Sequence, residues 1–331
     1  MSSAPFTHRV LPYDGMDDYL AGAVPFLRAG VEAGDRVLAV TPLASRMLLR
    51  DALGTDTAAE IGFTDSAGWF AHPSRTLSDC LCEADAPAWN GRRLRLLAEP
   101  AWAARRPLEV LEWQRVEALV NIAFTGTGAA ILCAYARTLP PGVIAASRRT
   151  HPEIVKGGAA LANPLYTDPW AYSTQCDSAP LPAPPPGAET LPLDLPDLYW
   201  LRQYVADFAR RTPLPHDDLQ RLLVAVTEIV TNATRHGRPP IVLTMWADPE
   251  DRSLVCQVAD GGRWPPGADL GLIPPRPGGP GRFGLWAVRL LCSGVQIRTG
   301  DRGTTVRLRL RLPDPADGAA PAATATTVNT A

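Results

Sequence analysis

The first 175 residues alternate between short apolar runs and amphipathic stretches. Five runs have the length and apolar character of buried strands: RVLPY (9–13), RVLAVTP (36–42), EIGFTD (60–65), RLRLLAEP (93–100) and AAILCAYA (129–136). Helical spacing of apolar residues between them predicts helices, as in SRMLLRDAL (45–53) and LEVLEWQRVEALVNIAF. This alternation, with short connections, predicts a mainly parallel α/β sheet covered on both faces. None of these strands is followed by a glycine-rich phosphate loop, although ligands can bind at the carboxyl edge of such a sheet.

A different order of elements follows residue 197. Apolar residues at 222, 223, 226, 229, 230 and 233 form one stripe, which predicts a helix from Leu219 to Arg235 after a shorter one at 198–211. IVLTMWA (241–247), SLVCQVADGG (253–262) and VQIRTGDRGTTVRLRLRL (295–312) predict antiparallel strands. A proline- and glycine-rich stretch (263–283) interrupts them, and GGPGRFGLWAVRLLC (278–292) leads from glycines into an apolar helix.

Two further segments lack any apolar period. Residues 177–197 contain seven prolines, so we expect a stiff, extended linker at 176–197. Residues 313–331 are rich in Ala and Thr, and we expect a disordered tail there. With 331 residues favouring two domains, the sequence predicts one domain at 1–175 and a second at 198–312.

Composition narrows the functional class only slightly. Hydrophobic residues at 46% exclude wholesale disorder, and a formal charge of −2 gives no general attraction to nucleic acid or anionic lipid. The six cysteines are scattered, and the N-terminus lacks the apolar core of a signal peptide, so we expect a cytoplasmic protein. Residues 118–136 are long and uncharged enough to span a bilayer, but the central Thr-Gly-Thr-Gly favours a helix end, a turn and a buried strand.

The stretch TEIVTNATRHG (227–237) contains the main candidate for chemistry. Glu228 and Asn232 are one helical turn apart and lie off the apolar stripe, so they can address one ion or phosphate together. Alone, such a pair is more typical of a solvated helix edge. The following sequence favours the first interpretation, because a strand ending in Asp260-Gly-Gly262, a glycine-rich helix start and Gly-Thr-Thr at 303–305 follow in order.

This ordered set resembles the ATP-binding fold shared by gyrase, Hsp90, histidine kinases and MutL, known as the GHKL or Bergerat fold. Within that superfamily it is most similar to the anti-sigma-factor serine kinases. The resemblance covers roughly 198–312, and it implies an α/β sandwich that binds ATP and Mg²⁺.

The resemblance also implies roles for individual residues. Asn232 would contact Mg²⁺ and phosphate, and Glu228 would be the general base for a serine hydroxyl of a partner protein. Asp260 would accept a hydrogen bond from the adenine amino group, beside Gly262 and Thr304. The phosphate-facing lid would contain Gly281, Arg282 and Gly284.

Two departures from the family pattern fall in that lid. Trp264 stands where the family commonly has a glycine, and Arg282 stands two residues before Gly284 in the second glycine motif. They leave open a non-catalytic protein that keeps nucleotide binding.

The N-terminal region resembles the sensory domain found in methanogen, methylotroph and dichloromethane-regulator proteins, the MEDS domain. The resemblance covers roughly 6–172 and rests on FTHRVLPYDGMDDYLAGAVPFLRAGVEAGDRVLAVTP, GWF (68–70), HPEIV (151–155) and NPLYTDPWAY (163–172). It implies a sensor of small molecules. His8, Trp69 and His151 are candidates to line its pocket, and packing is the alternative role for each of them.

The whole arrangement resembles the RsbA-like anti-sigma regulators. That resemblance implies a homodimer that sequesters a sigma factor and releases it when it engages an anti-anti-sigma protein. It implies no direct contact with nucleic acid or membrane. A sensor histidine kinase is a further alternative, but it needs a phosphoacceptor histidine in a helical hairpin before the ATP domain, and the helix at 198–211 contains no histidine.

Overall fold

A computed structural model of the chain describes residues 5–85, 91–102, 105–193, 197–264, 270–275 and 283–313. The chain forms two compact units, Met1–Pro182 with Trp264–Leu290, and Ala183–Arg263 with Leu291–Ala331. Across the described ranges, every helix is too short or too polar to cross a membrane.

The sheet of the N-terminal unit is built from the first seven strands of the described chain. These are β1 (Thr7–Tyr13), β2 (Arg36–Thr41), β3 (Gly62–Asp65), β4 (Leu94–Ala98), β5 (Ala130–Ala136), β6 (Glu153–Lys156) and β7 (Ala159–Ala162). Their order is β3-β2-β4-β5-β1-β6-β7. All neighbours are parallel except β6 and β7, which are antiparallel. The predicted, mainly parallel α/β sheet is therefore confirmed.

Helices connect these strands. They are α1 (Gly15–Glu32), α2 (Leu43–Leu53), α3 (Thr55–Ala59), α4 (Ser66–Trp69), α5 (Pro73–Asp85), α6 (Pro107–Ala123), α7 (Pro141–Thr150) and α8 (Pro169–Cys176). The apolar stretch 118–136 divides as predicted into the end of α6, a turn and β5.

Two hydrophobic clusters cover the two faces of this sheet, because successive strand residues point to opposite faces. Val10 and Ile131 belong to the cluster that contains Trp113 of α6. Leu11 and Leu132, each one residue further along, belong to the cluster that contains α1. Strands buried on both faces explain the unbroken apolar runs in the sequence.

The C-terminal unit has an antiparallel sheet. Its strands are β8 (Glu189–Pro192), β9 (Val242–Asp248), β10 (Ser253–Asp260), β11 (Gly294–Gly300) and β12 (Gly303–Arg311), in the order β11-β12-β10-β9-β8. Two helices, α9 (Leu198–Ala209) and α10 (His216–His236), pack against each other, and α10 contacts β10 and β12. The predicted α/β sandwich and the buried stripe of α10 are confirmed.

Part of the predicted linker forms secondary structure. Cys176 closes α8, and Glu189–Pro192 forms the edge strand β8, in which Leu191 pairs with Leu243 of β9. Proline is tolerated in such a strand because an edge leaves one row of backbone donors unpaired. The predicted tail, beyond Pro313, lies outside the described residues.

Within the predicted domain 198–312, the described residues Trp264, 270–275 and 283–290 group with the N-terminal unit. They include most of α11 (Phe283–Leu291). Nη1 of the buried Arg289 lies 3.6 Å from Oε2 of Glu112 on α6. A boundary drawn from strand order could not show this, since the packing depends on contacts between residues distant in sequence.

Candidate functional site

Glu228 and Asn232 are in contact on α10. The Asn232 side chain donates from Nδ2 to Oε1 of Glu228 at 3.0 Å, and both side chains are partly buried. This bond fixes the amide, so its oxygen Oδ1 points away from the carboxylate. Among the described residues no donor reaches Oδ1 of Asn232, and a hard cation could therefore bind it.

Asp260, Gly262 and Thr304 meet where β10 ends. Oδ1 of Asp260 accepts from the backbone N–H of Gly262 at 2.6 Å and from that of Arg238 at 3.4 Å. Thr304, paired with Asp260 between β10 and β12, donates from Oγ1 to the Gly262 carbonyl at 3.0 Å. Oδ2 of Asp260 receives no hydrogen bond from the described residues. The carboxylate is thus held in place with one acceptor oxygen free.

Glycines allow the end of α10 to approach the end of β10. A Cβ on Gly262 would lie 2.7 Å from Cα of Gly237 and 2.8 Å from Oδ1 of Asp260. A Cβ on Gly237, the residue after α10, would lie 2.5 Å from the same carboxylate oxygen. Gly303 has a φ of +111°, and a Cβ there would overlap the Asp260 carbonyl. Side chains at these positions would push the elements apart.

The Glu228–Asn232 pair therefore lies further along the same helix whose C-terminal end packs against Asp260. Gly237 lies against Asp260, and at 1.5 Å per residue Asn232 and Glu228 lie roughly 8 and 14 Å further along the α10 axis. Five of the sequence-predicted site residues belong to this C-terminal unit: Glu228, Asn232, Asp260, Gly262 and Thr304.

Of the predicted lid residues, the structure describes Gly284 alone. It lies in α11, in the part of the chain that groups with the N-terminal unit. Gly281 and Arg282 lie outside the described residues, and their predicted roles remain predictions. Trp264 is partly buried and groups with the same unit.

A buried polar cluster lies in the N-terminal unit. The structure brings His8 and His151 together, with ring centroids 4.0 Å apart, and adds Glu117 and Cys133. Neither Glu117 nor Cys133 stands out in the sequence, because Glu117 lies in an apolar helix and Cys133 in a buried strand. Trp69 packs against the hydrophobic cluster that contains Cys133, but it is not one of the four.

Burial controls the charges in this cluster. Burial and the adjacent His151 lower the pKa of His8 to about 4. Burial also opposes ionisation of Glu117, and the pKa of this carboxyl is lowered only to the extent that its histidine neighbours donate hydrogen bonds to it. Near neutral pH, His8 is uncharged.

A second buried carboxyl lies at the carboxyl edge of the parallel sheet. Glu99 directly follows β4, and its Oε1 accepts from Oη of Tyr13 at 3.1 Å and from Oγ of Ser45 at 3.2 Å. Burial raises the pKa of Glu99 above its ordinary value, despite these hydrogen bonds. This edge is where α/β sheets commonly bind ligands.

Comparison with protein families gives two matches. Residues 7–152 match the family described as MEDS, the methanogen/methylotroph, DcmR sensory domain. Residues 191–310 match the histidine kinase-like ATPase domain. No curated protein matches the chain.

Two solved structures show limited similarity. The RsbU and RsbW domains of Rv1364c from Mycobacterium tuberculosis are 22% identical over 40% of this chain and 34% of that one, with a TM-score of 0.29. The blue-light activated histidine kinase EL346 of Erythrobacter litoralis is 20% identical over 36% of this chain and 42% of that one, with a TM-score of 0.28. The chain thus spans about a third of the first and two fifths of the second. From the two family matches and the fold, the chain joins an N-terminal MEDS sensory domain to a C-terminal histidine kinase-like ATPase domain.

Proposed function

We propose that this protein is a cytoplasmic transcription regulator of the partner-switching type. Its C-terminal domain binds ATP with Mg²⁺, sequesters a sigma factor, and phosphorylates an anti-anti-sigma partner on serine. One observation carries the proposal: the hydrogen-bonded pair Glu228–Asn232 lies on the same helix whose C-terminal end packs against Asp260.

The residues present suit the nucleotide and its metal. Oδ2 of Asp260 and Oδ1 of Asn232 are oxygen acceptors that no donor in the described residues occupies. A carboxylate suits the exocyclic amino group of adenine, and an amide oxygen suits Mg²⁺. Gly262 and Gly303 let the backbone pack closely around Asp260 and so hold its carboxylate in place.

Glu228 is the proposed general base. Bound ATP supplies the transferable γ-phosphoryl group, and Mg²⁺ neutralises its charge. Asn232 engages only Oε1 of Glu228, so the carboxylate keeps an oxygen that can take the proton of a serine hydroxyl. Through this hydrogen bond Asn232 also orients the Glu228 carboxylate.

Homodimerisation is part of the proposal. Tyr199 is 73% exposed and Trp200 is 49% exposed at the start of α9, on the C-terminal unit. Large aromatic side chains exposed side by side are typical of surfaces that bind another protein. The exposed aromatic pair therefore supports the proposal that a second copy of this chain binds at the start of α9.

The N-terminal domain is proposed to bind a small-molecule signal. The buried group of Glu99, Tyr13 and Ser45 places several polar atoms at the carboxyl edge of the sheet. All six cysteines are free thiols, which supports a reducing compartment.

Incubation of the purified full-length protein with radiolabelled ATP, Mg²⁺ and a candidate anti-anti-sigma protein tests the proposal. We expect acid-stable label on a serine of the partner. Acid-labile label on the protein itself would favour the sensor histidine kinase. Binding of ATP without any label would favour the non-catalytic anti-sigma protein.

The variant Glu228→Gln tests the base. We expect the rate of partner labelling to fall about 100-fold or more, because general-base catalysis contributes roughly that factor. Affinity for ATP should change little. Glu250→Gln, an exposed position in the same unit, is the matched control and should label the partner at the wild-type rate. Wild-type labelling by Glu228→Gln would show that another group takes the proton.

A further inference from the structure

Four potential metal ligands converge inside the N-terminal unit. His8 lies on β1, Cys133 on the neighbouring strand β5, Glu117 on α6, and His151 directly after α7. All four are buried, and one ligand atom from each lies within 4.8 Å of the others. The cluster therefore joins four elements that are distant in sequence.

The tautomer of His151 is fixed by its surroundings. Nδ1 of His151 lies 2.8 Å from the backbone carbonyl of Ser147, and a carbonyl can only accept a hydrogen bond. The proton of the neutral ring is therefore on Nδ1. Nε2, which points at the cluster, presents a lone pair.

His8 is fixed in the same way through Asn121. The amide of Asn121 donates from Nδ2 to the carbonyls of Thr150 at 2.8 Å and Ala118 at 3.0 Å, which identifies Oδ1 as its acceptor atom. Nδ1 of His8 lies 3.1 Å from that Oδ1 and must donate to it. Nε2 of His8 thus also presents a lone pair to the cluster. Such partners behind the ring are what metal-binding histidines typically have.

The four ligand atoms carry too few hydrogens to form hydrogen bonds with one another. Oε2 of Glu117 lies 3.3 Å from Nε2 of His151 and 3.5 Å from Nε2 of His8. Sγ of Cys133 lies 3.4 Å from Nε2 of His8, and its single hydrogen can serve only one acceptor. Within the described chain neither Nε2 of His151 nor Oε2 of Glu117 has a hydrogen-bond partner. Buried lone pairs that face each other are costly, and a metal cation placed between them would remove that cost.

We propose that His8, Glu117, Cys133 and His151 bind one Zn²⁺ ion. Two imidazoles, a thiolate and a carboxylate are ligands of intermediate softness, and a sulfur ligand disfavours Mg²⁺ and Ca²⁺. Zn²⁺ takes the place of the thiol hydrogen of Cys133, which leaves as a proton. The ion, one thiolate and one carboxylate then sum to zero charge, which suits a buried site.

The separations agree with tetrahedral coordination. Zinc–nitrogen and zinc–oxygen bonds of about 2.0–2.1 Å and zinc–sulfur bonds of about 2.3 Å place neighbouring ligand atoms roughly 3.3–3.6 Å apart. Three of the six separations, 3.3, 3.4 and 3.5 Å, fall in this range, and all six are within 4.8 Å. With four protein ligands the site is closed, which is typical of a structural zinc ion. Zinc would lock α6 and the end of α7 against the centre of the sheet.

Metal analysis of the untagged full-length protein tests this site. After gel filtration in metal-free buffer, we expect about one zinc per chain by plasma mass spectrometry, the ratio of a single structural site. Replacement by Co²⁺ should give an intense thiolate-to-cobalt charge-transfer absorption. Absence of stoichiometric metal, both as purified and after incubation with Zn²⁺ or Co²⁺, would overturn the proposal.

Two variants localise the metal, and one controls for loss of a buried thiol. In Cys133→Ser and Glu117→Gln we expect less than about one tenth of a zinc ion per chain, because the loss of one ligand greatly lowers the affinity of a closed site for its metal. Cys80→Ser removes another buried cysteine of the same hydrophobic cluster and should keep the metal. Full occupancy in Cys133→Ser would overturn the assignment. If that variant does not fold, the wild-type cobalt spectrum decides, since a spectrum without the charge-transfer band excludes Cys133.

Discussion

Oδ1 of Asp260 and the backbone nitrogen of Gly262 are joined by a hydrogen bond of 2.6 Å. The bond closes a turn at the end of β10, and the Gly262 carbonyl in turn accepts from Thr304. Gly237 packs against the same turn. The position of the Asp260 carboxylate therefore depends on Gly237, Gly262 and Gly303 as well as on its own hydrogen bonds. The candidate nucleotide site is therefore built by close backbone packing.

Gly262→Ala tests this packing. The added methyl group would lie 2.7 Å from Cα of Gly237, so α10 and β10 must separate. We expect the C-terminal unit to lose about 1–3 kcal/mol of unfolding free energy, the usual cost of overpacking. Denaturant unfolding of the variant and the wild type measures this loss of unfolding free energy.

Gly300→Ala is the matched control. Gly300 closes β11, has no positive φ, and a Cβ there would meet nothing within 4 Å. Its stability should stay near the wild-type value. Equal losses in both variants would mean that the contact with Gly237 is not the cause.

Asn232→Ala tests the metal ligand. Removing the amide oxygen should weaken nucleotide binding in the presence of Mg²⁺ by about tenfold to 100-fold, since a lost hydrogen bond or ligand to a charged group costs about 1.5–3 kcal/mol. Calorimetric titration with ATP, at several Mg²⁺ concentrations, measures this change.

The magnesium dependence separates the metal role from general damage. In excess chelator, wild type and Asn232→Ala should bind ATP with similar, weak affinity. A deficit that is just as large without Mg²⁺ would contradict the metal role of Asn232.

Glu99→Gln tests the buried carboxyl of the N-terminal unit. A carboxyl whose pKa is raised by folding stabilises the folded state below its ordinary value of 4.5, and that contribution is lost as the pH rises through the raised pKa. Glutamine has no charge to desolvate. The variant should therefore gain unfolding free energy relative to wild type as the pH increases above 4.5.

Thermal or denaturant unfolding across this pH range measures the difference. Glu60→Gln is the control, because Glu60 is exposed in the same unit. The difference between Glu60→Gln and wild type should stay constant with pH. A pH-independent difference for Glu99→Gln would contradict the raised pKa.

Hydrophobic periodicity was enough to predict the N-terminal sheet and the helix that carries Glu228 and Asn232, whereas the C-terminal α/β sandwich was predicted from the family resemblance. The strands around Val10, Leu38 and Ile131 are apolar on both faces, and α10 has one sharp stripe, so local pattern and final packing agree. The ordered motifs also predicted the turn at Asp260.

The remaining features depend on contacts between distant residues. Glu117 and Cys133 show no periodic signal, and only the fold of β1, β5 and α6 brings them to His8 and His151. The packing of Arg289 near Glu112 and the strand β8 within the proline-rich segment are likewise invisible to local pattern.

The most direct test of the central claim is a calorimetric titration of the full-length protein with ATP and Mg²⁺, beside Asp260→Asn. Asparagine keeps the shape of the side chain but presents no second carboxylate oxygen, so we expect saturable one-site binding in wild type and about tenfold to 100-fold weaker binding in the variant. Asp301→Asn, which changes the same charge at a side chain 94% exposed, should bind like wild type. Absence of ATP binding by the wild type, or equal affinity in Asp260→Asn, would contradict the account.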